Sequence, residues 1–272
     1  IGLVFTPTFF SGFTLTVDYF DIHVAGAIGS VPETDTIGVC ATTGALCGQI
    51  VRGTNGILFG TGPGSGYVTD PLKNTGALAT QGEDLEANYN TNMDDWGFVG
   101  KGWGSLAFNL VGTYTEMFKD QPYVGGDEYD CAGLFGPICG TPIPKWRHKL
   151  RVTWTSPWDV DFSAQWRYMS SVSLDVNSTT EPTFAGYCGG GCYDFQDAKV
   201  SAYNYLDLSA SWTIRDGLTL NFGVNNVFDK NPPTLDSENI GVTGPPFGNG
   251  GTYPQVYDSL GRMLFADVVI KY

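Results

Sequence analysis

The chain has no apolar run long enough to cross a bilayer as a helix, its longest being a few residues against the roughly 20 required. That excludes helical spans only, because a spanning strand needs just ~9–11 residues of alternating pattern. Basic residues are scarce too: 14 Lys and Arg face 28 Asp and Glu, for a formal charge of −14. Nucleic acid is thereby excluded as a partner, since phosphate contacts need clustered Lys and Arg. Histidine is reduced to His23 and His148, and charged residues of all kinds make up only 15%. At its start, Ile1 is preceded by no Met, charged n-region or apolar h-region, so the expectation is a cut chain that has lost any signal peptide. What the sequence does hold is 37 glycines, 15 prolines and 14% aromatics, a composition of strands and turns that predicts an all-β fold.

Alternation with period two marks nine strands: Leu3 to Phe10, Phe13 to Ile28, Leu78 to Asn90, Trp103 to Phe118, Trp146 to Thr155, Asp159 to Met169, Ala202 to Ile214, Leu218 to Asn226 and Leu264 to Tyr272. Their connections alternate in length. Ser11-Gly12, the stretch from Asp94, Ser156 to Trp158 and Arg215 to Gly217 are short, whereas about 29–73, 119–143, 172–200 and 227–258 are long. Loops of that length are uncommon in compact soluble domains. In an antiparallel meander this alternation gathers tight turns at one end and long loops at the other, as in a transmembrane up-and-down β-barrel.

The faces agree. Leu218, Leu220, Phe222 and Val224 oppose Thr219, Asn221, Gly223 and Asn225, and Leu150, Val152 and Trp154 oppose Arg147, Lys149, Arg151 and Thr153. A soluble β-sandwich also alternates, with one face on a core. The length alternation and the aromatics at strand ends, among them Trp103, Trp146, Trp158, Tyr168 and Tyr203, favour the barrel.

The six cysteines fall in adjacent pairs within single loops: Cys40 with Cys47, Cys131 with Cys139, Cys188 with Cys192. Six cysteines allow fifteen pairings, and loops anchored on separate strands favour the local one, which implies an oxidising compartment. A metal site is the alternative for the C-G-G-G-C run at 188–192, but it lacks nearby histidines of ligand spacing. We expect no resident metal and no cofactor. Enzyme chemistry is not expected either: the histidines have no persuasive Ser or carboxylate arrangement, and G-T-G-P-G-S-G-Y from Gly60 lacks the Lys-Ser/Thr of a phosphate loop.

Two C-terminal segments, G-V-N-N-V-F-D-K-N-P-P from Gly223 and Y-D-S-L-G-R-M-L-F-A-D-V-V-I-K-Y from Tyr257, resemble the closing signature of TonB-dependent outer-membrane receptors. The segments from Leu15, Leu78, Pro144 and Tyr203 are similar to that family in order and spacing, so the resemblance spans essentially the whole chain. It implies that residues 1–272 are the last nine or so strands of a 22-stranded barrel, with an N-terminal plug and the earlier strands missing. It also implies residence in the outer membrane of a Gram-negative bacterium, and import of a scarce ligand (ferric siderophore, haem, cobalamin or oligosaccharide) driven by TonB. A passive porin without a plug is the alternative.

Further expectations follow from the resemblance. Partners are outer-membrane lipid and lipopolysaccharide, the plug and remaining strands, TonB, and the barrel-assembly machinery. For the last, Ile270 and the terminal Tyr272 resemble the recognition signal, from which Asp267 departs. Asp84, Glu86, Arg147, Lys149, Arg151, Arg167 and Asp207 are expected to face the lumen. Ligand-contact candidates are the loop aromatics Tyr123, Tyr129, Phe135, Tyr187, Tyr193, Phe195, Phe247 and Tyr253. The acidic loop residues Asp120, Asp127, Glu128, Asp130, Asp194, Asp197, Asp236 and Glu238 offer hard oxygen ligands to Ca²⁺, or else a solvated acidic surface.

Overall fold

Alternating β-branched, aromatic and small polar residues give the chain strands wherever Gly, Pro and Asp do not interrupt them. The computed structural model describes every residue except 59, 61, 98, 99, 122, 124, 125, 137, 179–197, 236–250 and 272. In chain order the elements are β1 (Gly2–Phe5), β2 (Phe13–Gly29), α1 (Glu33–Thr43), β3 (Ile50–Val51), β4 (Tyr67–Val68), β5 (Lys73–Asn92), β6 (Ser105–Gln121), β7 (Tyr129–Asp130) and β8 (Leu134–Phe135). They continue with β9 (Trp146–Thr155), β10 (Val160–Met169), β11 (Val172–Leu174), β12 (Lys199–Val200), β13 (Tyr203–Arg215), β14 (Leu218–Asn225) and β15 (Met263–Ile270).

Nine of these strands form one antiparallel ladder in sequence order, β1-β2-β5-β6-β9-β10-β13-β14-β15, the up-and-down order expected. The sheet is open, with β1 and β15 as its ends. Each tight turn has a local cause. Gly217 has φ +79°, which a two-residue reversal after Arg215 requires, and its carbonyl receives the Lys271 amide at 2.8 Å. Asp159 supplies a positive φ of 57° in the turn between β9 and β10, where the Ser156 amide donates to the Val160 carbonyl.

Register fixes the two faces. Leu106, Trp154, Phe162, Ala210, Phe222 and Ala266 are successive partners across six strands and make one apolar row. The adjoining row, on the opposite face, is Ser105, Thr155, Asp161, Ser211, Asn221 and Asp267. Asp267 accepts from Asn221 Nδ2 at 2.6 Å, a local polar partner for the residue that departs from the assembly signal.

Among the described residues nothing packs over the apolar face. Phe222 is 48% exposed and Val268 57%, and Leu208, Trp212 and Trp166 are also exposed. A soluble sandwich would bury this face against a second sheet. The buried core lies instead among the loops, where Phe135, Val172, Leu174, Val176, Val200, Leu235, Tyr253 and Tyr257 cluster. There β8, β11 and β12 make a small sheet of their own.

The chain divides into two compact units, one of Ile1–Asp21, Thr80–Phe118 and Cys131–Tyr272, the other of Ile22–Ala79 with Lys119–Asp130. The second unit holds α1, absent from the expectations because E-T-D-T-I-G-V-C-A-T-T has no amphipathic stripe. Its C-terminus is fixed by Gly44 at φ +76°, whose amide donates to the Cys40 carbonyl, and by the Cys40–Cys47 disulfide. Cys131–Cys139 forms the second local bridge. Cys188 and Cys192 lie outside the described residues.

Candidate ligand-facing site

On the polar face of the first unit, charged side chains converge where β9, β10 and β13 meet the return segment before β15. Arg167 of β10 is forked between two carboxylates. Its Nε donates to Asp207 Oδ2 at 2.7 Å and its Nη2 to Asp207 Oδ1 at 3.0 Å. Asp258 receives the other side, from Nη1 at 3.0 Å and Nη2 at 2.5 Å. Such planar, bidentate pairing is what a guanidinium offers and an ammonium does not. Asp207 also accepts from the Asn226 amide at 2.8 Å and Gln165 Nε2 at 3.3 Å. The Tyr205 hydroxyl accepts from the Asp258 amide at 3.1 Å, and the Tyr205 ring lies 4.7 Å beneath the Arg167 guanidinium carbon.

Asn226 explains why N-N-V-F-D-K follows β14. Buried and at φ +52°, it accepts from the Lys230 amide and donates to the Lys230 carbonyl, both at 2.9 Å, closing an Asn-stabilised turn. Asp229 at φ +53° then receives the Arg262 amide at 2.7 Å, joining the start of the last loop to its end.

A cavity of about 970 Å³ opens on this face, lined by Arg147, Lys149, Arg167, Asp207, Asn225 and Asp258 among others. Arg151 stands in the adjoining row and donates to Gln165 Oε1 at 2.8 and 3.2 Å. Above the sheet, Asp175 is fully buried in the loop core and accepts from the amides of Ile138 and Cys139 at 2.8 Å and Val176 at 2.7 Å. Burial pushes its carboxyl above the usual range, although these three amides pull the other way. Burial likewise raises the phenols of Tyr253 and Tyr257.

The residues expected to face the lumen share the polar face: Arg151, Gln165 and Asp207 are register partners, as are Lys149 and Arg167, and Arg147 precedes Lys149 by two. Asp84 accepts from Thr113 Oγ1 at 2.7 Å and Glu86 from Asn88 Nδ2 at 2.8 Å. Of the aromatic ligand candidates, Phe135 and Tyr253 are fully buried in an edge-to-face pair 6.2 Å apart, so packing is the role this arrangement gives them. Tyr129 lies in β7, paired with Asp120, and Tyr123 is half-buried in the preceding turn. Tyr187, Tyr193, Phe195, Phe247 and Tyr272 lie outside the described residues, with Asp194, Asp197, Asp236 and Glu238. Among the described residues no three His, Cys, Asp or Glu side chains converge as a metal would require, and Glu128 is taken by Lys119 at 2.5 Å. Sequence reasoning missed Asp258 and Asp175, which lie in loops where no periodicity marks a facing direction, and it read Asn226 as the last residue of a strand, one beyond where β14 ends.

An open up-and-down sheet with one bare apolar face and one charged face is the wall of a β-barrel of outer-membrane type. The chain belongs to the TonB-dependent receptor-like β-barrel family, whose sequence model matches residues 1–227. Among solved structures, a mutant of the ferric enterobactin receptor PfeA from Pseudomonas aeruginosa is similar over 100% of this chain and 30% of its own, at 16% identity and a TM-score of 0.59. The siderophore receptor PirA from Acinetobacter baumannii is similar over 100% and 31%, at 13% identity and a TM-score of 0.54. These likenesses establish the fold, and the chain spans about 30% of the length of such receptors. They are receptors, not enzymes. No curated protein sequence matches the chain.

Proposed function

We propose that the chain forms wall and external loops of an outer-membrane receptor that imports a scarce ligand, with a ferric siderophore the leading class. Its apolar face meets outer-membrane lipid and lipopolysaccharide, and its charged face meets the lumen and a plug carried by the N-terminal part of the whole protein. TonB, engaging that part, supplies the energy. Ile270 and Tyr272 present the closing strand to the barrel-assembly machinery. The observation that carries the reading is the match to the TonB-dependent receptor family over residues 1–227 of a sheet whose apolar face is bare.

The test is uptake of iron-55 bound to siderophores by cells carrying the full-length gene as their only such receptor. Saturable uptake that stops on deletion of tonB or on addition of a protonophore is the expected result. Uptake that persists without TonB rises in proportion to concentration in a passive porin, and that outcome overturns the proposal.

A further inference from the structure

The cavity wall carries three cations and two carboxylates, and both carboxylates are spent on one cation. Asp207 and Asp258 are each bidentate to Arg167. Arg147 and Lys149 line the same cavity and have no carboxylate or hydrogen-bond partner among the described residues. Lys149 is moreover the register partner of Arg167, a like-charge pair directly across two strands, which costs stability unless a counter-charge intervenes. Arg151 extends the column by two residues on the same strand. A chain of formal charge −14 has thus gathered cations into one concave spot on its polar face.

Resting on the import reading above, we infer that the cavity bounded by Arg147, Lys149 and the segment around Asp258 is a subsite for a multiply charged anionic ligand, held chiefly by Arg147 and Lys149. Its volume suits a small molecule, since ligand cavities run ~300–1,000 Å³. Arg167 has a different duty. With both forks occupied it is a positioning residue that fixes the Asp258 segment as the cavity's rim, and Asp258 sets a limit on the site's net positive charge. The two available cations differ usefully: Arg147 presents a planar fork for a carboxylate, catecholate or phosphate edge, and Lys149 a movable point charge.

The test uses the full-length receptor in detergent and two ferric chelates of similar size, an iron(III) tris-catecholate of charge −3 and a neutral iron(III) tris-hydroxamate, titrated calorimetrically. The wild type is expected to prefer the trianion. The R147Q/K149Q double variant is expected to lose about tenfold or more in affinity for it, as removal of two charge-assisted contacts implies, with the neutral chelate unaffected. D258N is expected to tighten trianion binding severalfold, and added salt to weaken it. Equal binding of both chelates, no binding of either, or unchanged trianion affinity in R147Q/K149Q overturns the subsite. If R147Q/K149Q instead lowers the receptor's thermal stability with trianion affinity unchanged, the cations serve an acidic surface of the plug and the inference fails. Because TonB-dependent uptake is measured separately, each of these failures leaves the import reading standing.

Discussion

Three glycines on the strands hold aromatic rings where side chains would otherwise stand. A Cβ at Gly112 would meet the Trp146 ring at 2.6 Å, one at Gly223 the Phe265 ring at 2.5 Å and the Leu208 carbonyl at 2.7 Å, and one at Gly82 the Phe20 ring at 2.8 Å. Each ring covers the backbone of its neighbour, so Gly112→Val and Gly223→Val are expected to destabilise by about 1–3 kcal/mol through overpacking. The midpoint of heat-modifiable gel migration reads that loss, and no shift refutes the packing role. Asp175 makes a prediction of the opposite kind, in pH. Its carboxyl is raised in the folded protein, so folding favours the protonated form. Its contribution is therefore full below the unfolded value of about 3.9 and is lost as pH rises through the folded value. Wild type should thus lose stability relative to Asp175→Asn as pH climbs from the acid side towards neutrality, measured by thermal unfolding across that window. A parallel pair of profiles contradicts this. Asp175→Ala, which leaves three buried amides without an acceptor, is expected to be worse than Asp175→Asn at every pH.

Among the elements, the loop core turns on the Cys131–Cys139 bridge and β8, which lies within the ring it closes. Closing so small a ring is worth about 2–3 kcal/mol in chain-entropy terms, so C131S/C139S should loosen the β8–β11–β12 sheet while leaving β9 and β10 intact. Amide exchange that accelerates at Leu134, Phe135 and Ser173 but not at Leu150 and Trp166 is the expected pattern. Equal acceleration everywhere contradicts it. The long strands were legible in the sequence because period two survives along them: Trp146–Thr155 was expected and found to the residue. Their ends were less so. Leu3 to Phe10 shrinks to Gly2–Phe5, and Leu78 to Asn90 grows to Lys73–Asn92, because pairing rather than local alternation decides where a ladder stops. The short strands β8, β11 and β12 were invisible, since two or three residues carry no period and owe their conformation to a buried carboxylate and to neighbours distant in sequence. The site divides the same way. Arg167 and Asp207 were readable as polar positions on alternating strands, whereas Asp258, which completes their network, sits in a segment without alternation.

For the whole molecule, what distinguishes this sheet is that its buried core lies among loops and its strands show lipid-compatible residues to the outside. On the apolar face Trp146 and Trp154 sit eight residues apart on β9, about 27 Å of strand at ~3.4 Å per residue. Tilted as barrel strands are, that separation approaches the ~25 Å apolar band with its aromatic girdles. Trp154, Trp103 and Trp158 mark one level, with Trp154 Nε1 donating to the Trp103 carbonyl at 2.8 Å, and Trp146, His148, Trp166 and Tyr168 mark the other. Leu150→Arg, midway between Trp146 and Trp154 on β9, is therefore expected to cost about 2–4 kcal/mol in the full-length protein in bilayers, and Thr153→Arg on the opposite face much less. Equal effects in a vesicle unfolding assay contradict this assignment of faces.

The bond from the Leu235 amide to the Gly251 carbonyl, 2.8 Å long, has a consequence for how such a protein diversifies. Leu235 and Tyr253 are anchored in the loop core, and below them Asp229 and Arg262 are already joined. Leu235 and Gly251 thus stand as neighbouring fixed points, and doubling the length of chain between two such points adds only ~0.6 kcal/mol of closure entropy. Added chain between these two anchors is therefore cheap for the ladder that carries it, which makes this the point at which the fold tolerates a change of length.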